Sequence, residues 1–333
     1  MNISLKRAKE ITDAFHSKKI LVVGDVFLDR YVYGKVERLN PEAPVPILHA
    51  KREEDATGGA GNTAKNAALL GAAVVCVGIS GNDDASTAVS KAAQAEGYEL
   101  VLIRDVRVPT IVKKRYVVGS QQLLRVDHED ITEPDAAVED AMIAAFQAHI
   151  ASVDAIIVSD YAKGAITERV AHALMGAMKE HDIPMMVDAK PSRASYFTGA
   201  TYMSPNKKEA HEYLGMNMHE QGGKKAHELA AMVSASFDTT VFLTLSAEGM
   251  YVQERGGNGE YVSTHYIHED DVVDTSGCGD TAAVAIVLSR LAGATLAEAA
   301  EIGNAAGATV ARKAGAVGIT PEELLHTMGD HHA

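Results

Sequence analysis

Cysteine is scarce. Two, Cys76 and Cys278, stand far apart in a chain of 333 residues and form no CxxC pair. That argues against a disulfide framework or a cysteine-based zinc site and fits a reducing compartment, so a cytoplasmic protein is expected. Positive charge is also short: 31 Lys and Arg face 45 Asp and Glu, a formal net charge of −14. A binder of duplex nucleic acid needs a basic face to meet phosphates, so no such partner is expected. A local basic pocket for one phosphorylated metabolite is compatible with this balance. No run of about 18 apolar residues occurs, which argues against a membrane span. The opening segment, MNISLKRAKEITDAFHSKK, scatters its charges and lacks the apolar core of a signal peptide. The 14 histidines form no HExxH pair, and His331 and His332 read as a frayed tail, not a metal site. There is no GxxxxGK[ST] phosphate loop, no internal repeat and no low-complexity linker.

What is present reads as a globular α/β protein. The hydrophobic fraction is 47% and the charged fraction 23%, enough to bury a sizeable core. The length suits one large domain or two modest ones. Short apolar runs at 20–24, 74–79, 155–159, 184–188, 201–204 and 240–245 read as buried strands. Helical patterns at 62–70, 135–151, 167–181, 207–214 and 223–236 fall between most of them, and 280–291, 296–313 and 321–328 close the series. Strands that alternate with helices and lack a polar face predict a parallel sheet covered on both sides. Two regions, 29–55 and 110–130, alternate in polarity without a long helix and read as antiparallel strands that leave the sheet. They are either edge hairpins or a small β-lid over a cleft.

The sharpest motif is Asp274-Thr-Ser-Gly-Cys-Gly-Asp280, followed by an apolar helix. Glycines let the backbone turn tightly, and the turn feeds a helix N-terminus, where free N–H groups favour an anion. The N–H groups of Gly277, Cys278 and Gly279 suit the charge that develops on a transferring phosphoryl group. Asp280 can accept a proton from an alcohol. The plainer alternative is an Asp at a helix start after a glycine turn. Gly277-Cys-Gly-Asp-Thr-Ala282 and Gly59-Ala-Gly-Asn-Thr-Ala64 both satisfy GxGxxA, but neither sits after the first strand of a βαβ unit, which disfavours dinucleotide binding. Gly58-Gly-Ala-Gly-Asn62 opens a helix. Asn62 either caps it or contacts a polyol. Asp25 follows the first strand, where α/β sheets place ligands, and can accept from vicinal hydroxyls or simply serve the turn. Asn206 and Glu209 form an Asn-x-x-Glu that serves as a capping box or holds phosphates and hydrated Mg²⁺. Asp188, Lys190 and Lys163 also sit at predicted strand ends.

These motifs resemble the PfkB, ribokinase-like carbohydrate kinases, in the family's order and over nearly the whole chain. Asp274–Asp280 resembles the second family signature, Gly58–Asn62 the sugar-contacting glycines, Ser204–Glu209 the Asn-x-x-Glu motif, and Leu243–Gly249 the nucleotide-site strand and loop. Gly24-Asp-Val-Phe-Leu-Asp-Arg-Tyr31, Arg38-Leu-Asn-Pro-Glu-Ala-Pro-Val-Pro46, Gln121-Gln-Leu-Leu-Arg125 and Ser159-Asp-Tyr-Ala-Lys-Gly164 are similar to the family's heptose 7-phosphate kinases. The chain departs from the usual Thr-Gly-Ala-Gly, carrying Ser-Gly-Cys-Gly, and differs at Ala60, Gly61 and Ala189.

The resemblance implies a ribokinase-like fold: a central, mostly parallel sheet flanked by helices, with a β-sheet lid, all within one domain spanning 1–333. It implies transfer from ATP to the anomeric hydroxyl of D-glycero-β-D-manno-heptose 7-phosphate, in ADP-heptose synthesis for lipopolysaccharide core, with Asp280 as base. Asp25, Asp29, Gly58, Gly59, Asn62 and Lys163 would meet the sugar. Arg38 and Arg125 are offered for its phosphate, or for surface ion pairs. Asp188, Lys190, Asn206, Lys207, Lys208, Glu209, Thr244, Ser246, Gly249 and Asp274 would serve the nucleotide. Mg²⁺ would be held at Asn206 and Glu209 through water, with a monovalent cation as a further cofactor. A homodimer through the lid is implied. So is a stand-alone kinase, since no HxGH nucleotidyltransferase motif appears near the end of the sequence.

Overall fold

The computed structural model describes residues 3–119, 121–216, 225–267, 269–313, 315 and 317–329. His331, His332 and the predicted helix start at 223 lie outside them. In chain order the elements are α1 Leu5–Asp13, β1 Lys19–Gly24, β2 Val26–Leu39, β3 Pro46–Gly59, α2 Ala60–Leu69, β4 Ala73–Ser80, α3 Asp84–Ala95 and β5 Glu99–Arg104. Then come β6 Val112–Val118, β7 Gln121–His128, α4 Ala136–Ile150, β8 Ala155–Asp160, α5 Glu168–His181, β9 Met185–Ala189, β10 Tyr202–Met203 and α6 Lys207–Tyr213. The last are α7 Ala226–Phe237, β11 Thr240–Thr244, β12 Gly249–Gln253, β13 Gly259–Ser263, α8 Cys278–Leu291, α9 Leu296–Ala311 and α10 Pro321–Gly329.

Nine strands form the main sheet in the order β13-β12-β11-β10-β9-β8-β1-β4-β5. From β5 to β11 every pairing is parallel, while β12 and β13 close one edge antiparallel. The apolar runs explain this arrangement. Side chains alternate across a strand. Ile20 and Val22 therefore enter the core shared with α2, α8 and α9, while Leu21 and Val23 enter the opposite core with α4, α5 and α7. All four are fully buried, each a gain of roughly 1.5–3 kcal/mol over exposure. A strand apolar on both faces needs such a two-sided cover.

The lid is a second sheet, β3-β2-β6-β7. The sequence places its strands correctly but not all their pairings. β2 and β3 are antiparallel, as are β6 and β7, yet β2 and β6 run parallel and join the two hairpins. β2 and β3 are 14 residues each and reach back to the core at Val26 and Gly59. Among the described residues no helix is long and apolar enough to cross a membrane.

Candidate active site

The site begins with α8. Its residues from Thr281 to Ser289 are buried all round, so packing fixes the helix and its first turn. Gly277 caps it at φ +79°, a conformation that favours glycine. Among the described residues no side chain caps this N-terminus. The Cys278 N–H donates to the Thr275 carbonyl at 3.3 Å, which corrects the expectation that it faces an anion. Gly279 and Asp280 keep the outward N–H groups, and a Cβ on Gly279 would meet nothing within 4 Å, so open space lies before the turn.

Asp280 is 7% exposed and is held by three donors from other elements. Asn62 Nδ2 donates to Oδ2 at 2.7 Å, Thr63 Oγ1 to Oδ1 at 3.3 Å, and the Tyr161 hydroxyl reaches both oxygens at 3.2 and 3.3 Å. Burial pushes the Asp280 carboxyl above its ordinary value, while these donors and the charge of Lys65 act the other way. Asn62 Oδ1 is buried with no hydrogen-bond partner among the described residues, an acceptor suited to a polyol hydroxyl. Thr63 and Tyr161 escaped the sequence reading, although Tyr161 stood inside a quoted motif.

Glycine at 58 and 59 has a steric cause. At Gly59, φ +61°, a Cβ would lie 2.2 Å from the Asp25 carbonyl oxygen. At Gly58 it would strike the Phe27 ring at 2.4 Å and Asp29 Oδ2 at 2.8 Å. Asp25 itself does not offer a bare carboxylate. It accepts from the backbone N–H groups of Tyr161, Lys163 and Ala165 at 2.8, 3.0 and 2.8 Å, and so clamps the 161–165 loop. Burial and the neighbouring Asp25 charge push Asp160 upward. Asp29 pairs with Arg115 at 2.5 Å. Lys163 Nζ pairs with Glu129 at 2.7 Å and Arg125 with Asp127 at 2.9 Å. Arg38 stands exposed near the tip of the β2–β3 hairpin, away from Asp280.

A cleft adjoins the α8 turn, lined by Asp188, Lys190, Asn206, Glu209, Thr244 and Gly279, with Asp160, Tyr161 and Ser204. Asn206 and Glu209 do form a capping box: the Glu209 N–H donates to Asn206 Oδ1 at 2.9 Å, and the Asn206 N–H to Glu209 Oε2 at 3.1 Å. Lys190 Nζ donates to the other Glu209 oxygen at 2.8 Å. Asp188 is pushed up to about 7, first by lost hydration, then by the charges of Asp280 and Glu209. The other residues read as nucleotide contacts, Lys207, Lys208, Ser246, Gly249 and Asp274, are not among those that line this cleft. Lys207 and Lys208 are exposed, Lys208 pairing with Glu212 at 3.7 Å. Ser246 and Gly249 take positive φ at a turn, where a Cβ on Gly249 would lie 2.3 Å from the Val262 carbonyl oxygen. Asp274 accepts from the Ser276 and Gly315 N–H groups at 2.8 and 3.0 Å, clasping two loops. These bonds outweigh burial and hold its carboxyl below the ordinary value.

The cleft fits the phosphates of a nucleotide: uncapped N–H groups, open space before Gly279 and the Lys190 ammonium all face one volume. The described residues contain no group of three His, Cys, Asp or Glu arranged to hold a metal. With both Glu209 oxygens engaged, this donor set suits a hydrated, phosphate-borne Mg²⁺ rather than a protein cage.

Comparison with known proteins identifies the family and the fold. The profile described as pfkB family carbohydrate kinase matches residues 17–323. A protein of Caulobacter vibrioides named bifunctional protein HldE is 40% identical over 93% of this chain. The chain spans 63% of that relative's length. A D-beta-D-heptose 7-phosphate kinase of Bordetella bronchiseptica is 36% identical, over 92% of this chain and 95% of its own. Among solved structures, phosphofructokinase-2 from Escherichia coli superposes with a TM-score of 0.74 at 15% identity, covering 95% of this chain and 99% of that one. Arabidopsis thaliana ribokinase with ribose and ATP gives 0.70 at 18% identity, covering 93% and 98%.

Proposed function

Since the chain belongs to the pfkB family of carbohydrate kinases, we propose that it transfers the γ-phosphoryl group of ATP to the anomeric hydroxyl of D-glycero-β-D-manno-heptose 7-phosphate, giving the 1,7-bisphosphate. The observation that carries the reading is Asp280, a buried carboxylate at an uncapped helix N-terminus, aligned by Asn62, Thr63 and Tyr161. The heptose assignment draws on the two named relatives.

Phosphoryl transfer asks little covalent chemistry of a protein and much positioning. Asp280 takes the proton of the acceptor hydroxyl as its oxygen attacks phosphorus. Asn62 and Tyr161 hold the carboxylate in place, and the Asn62 carbonyl oxygen accepts from a second hydroxyl. The Gly279 and Asp280 N–H groups meet the charge that gathers on the phosphoryl oxygens. Lys190 neutralises phosphate charge from the other wall. Glu209 and Asn206 would hold the hydrated Mg²⁺ that comes with the nucleotide, and the ion would supply charge neutralisation there. The lid keeps bulk water from competing as acceptor. Through its exposed strands we further infer a homodimer.

The test is ATP consumption with Mg²⁺ and, in parallel, heptose 7-phosphate, fructose 6-phosphate, ribose and adenosine. Fast turnover with the heptose phosphate alone supports the full reading. Turnover with another acceptor retains the kinase and Asp280 and discards the heptose.

A further inference from the structure

Among the described residues, Lys65 is the one lysine or arginine that is buried, 7% exposed. An ammonium taken out of water is costly unless it is paired. Its place on α2 decides its company. Residues three and four apart share one face of a helix. Four before Lys65 is Gly61, where a Cβ would come within 2.6 Å of Thr57 Cβ, so that side of α2 lies against β3. Three before it is Asn62, whose Nδ2 donates to Asp280 at 2.7 Å. Lys65 therefore serves both sides, Thr57 on one and the base on the other.

The Thr57 side holds a carboxylate. Glu96 ends α3, and Thr57 engages both its oxygens: the backbone N–H donates to Oε1 at 3.2 Å and the hydroxyl to Oε2. Burial pushes the Glu96 carboxyl up, while Thr57 and the charge of Lys65 act the other way. Burial holds the Lys65 amine below its ordinary value, and the charges of Glu96, Asp29 and Asp280 oppose this, in that order. Asp29 already carries the Arg115 guanidinium at 2.5 Å. Asn62, Thr63 and Tyr161, which donate to Asp280, are neutral. Buried charges are screened far less than exposed ones, so an ammonium in this position acts on the base.

We propose that Lys65 is a positioning residue of the reaction, a buried ammonium shared between Glu96 and Asp280 that keeps Asp280 a carboxylate when the acceptor hydroxyl arrives. This rests on the reading of Asp280 as the base. An opposite charge nearby favours the ionised acid. Glu96 sets how much of that charge Asp280 receives, because the two carboxylates draw on one ammonium. The other titratable groups that face Asp280 are Tyr161 from the loop after β8, Asp188 on β9, Lys190 just after it, and Cys278 on its own helix. Lys190 donates to Glu209 at 2.8 Å, on the wall of the nucleotide cleft. Lys65 does not line that cleft, so its charge acts on the base whether or not a nucleotide is bound.

The experiment titrates the Asp280 carboxyl by carboxyl-carbon NMR in the full chain, its signal assigned by its loss in Asp280→Asn. Beside it runs the pH profile of kcat/KM with ATP, Mg²⁺ and the best acceptor. Lys65→Met keeps an apolar stem and removes the charge. Asp280 should then titrate at higher pH, and the acidic limb should move up with it. Glu96→Gln breaks the same pair from the other end and leaves the ammonium to Asp280, so both readouts should move to lower pH. The double variant carries neither charge and leaves no buried ion without its partner; its limb should fall between those of the single variants. It also keeps the test open if Lys65→Met alone does not fold. An Asp280 titration unmoved by Lys65→Met overturns the proposal. So does an upward move in both single variants, which would mark a pair that merely ties α2 to α3. If the NMR titrations move as stated while the kinetic limb stays, Asp280 is not the base, and the coupling of Lys65 to Asp280 stands without it.

Discussion

At the scale of single residues, Asp280 combines burial, which favours the neutral acid, with three donors that favour the carboxylate. Asp280→Asn keeps the shape and removes the base. Turnover should fall about 10²–10⁴-fold with ATP affinity largely kept, as single-turnover kinetics and a nucleotide-binding titration would show; unchanged turnover contradicts the mechanism. The base must be ionised to act and its pKa is raised, so kcat/KM should decline as pH falls through that raised value. Tyr161→Phe removes a donor that holds the pKa down. The acidic limb should therefore move to higher pH; a limb that stays or moves lower rejects the assignment. Asp280 and Asn62 were legible in the sequence because a glycine turn before a helix restricts what a polar residue there can do. Tyr161 and Thr63 were not. Their role exists only once β8 and α2 reach α8, contacts separated by 119 and 217 residues, and no local pattern records such a meeting.

At the scale of elements, the 161–165 loop depends on one carboxylate. An Asn at position 25 has a single side-chain acceptor oxygen for three N–H groups. Asp25→Asn should leave at least one buried donor unmet, a loss of about 1–3 kcal/mol, visible as faster amide exchange at 161, 163 and 165 together with lower kcat. Protected amides there would show that the loop stands without the clamp. Gly59→Ala meets both a glycine-only backbone conformation and a 2.2 Å contact; it should destabilise the fold by at least ~1–3 kcal/mol in urea unfolding. The parallel strands other than β5 were legible because burial on two faces leaves unbroken apolar runs. The edge pair β12 and β13 was missed, since Gly259–Ser263 is mostly solvated and its pattern is weak. The segments 84–95 and 99–104 were missed too, although Asp83 caps α3 by accepting from the Ser86 N–H. The parallel join of β2 to β6 is a fact of chain return, beyond what alternation encodes.

At the scale of the whole molecule, the lid exposes apolar residues, with Leu39 64% and Leu124 56% accessible on β2 and β7 and Val45 48% in the β2–β3 turn. Apolar residues gathered on one exposed sheet mark an interaction surface. The proposed homodimer should appear as twice the chain mass in sedimentation equilibrium, and Leu124→Glu with Leu39→Glu should yield monomers; a wild-type monomer at micromolar concentration rejects it. The lid also hangs from the core in a particular way. Only Asp25 separates the central strand β1 from β2, and the same residue grips the loop that presents Tyr161 to the base. The lid's neighbouring strand β3 is rooted beside it, where the Ala60 N–H donates to the Asp25 carbonyl oxygen at 2.9 Å. One carboxylate residue thus does two jobs at once: it roots the lid on the central strand and it anchors the loop whose Tyr161 donates to Asp280.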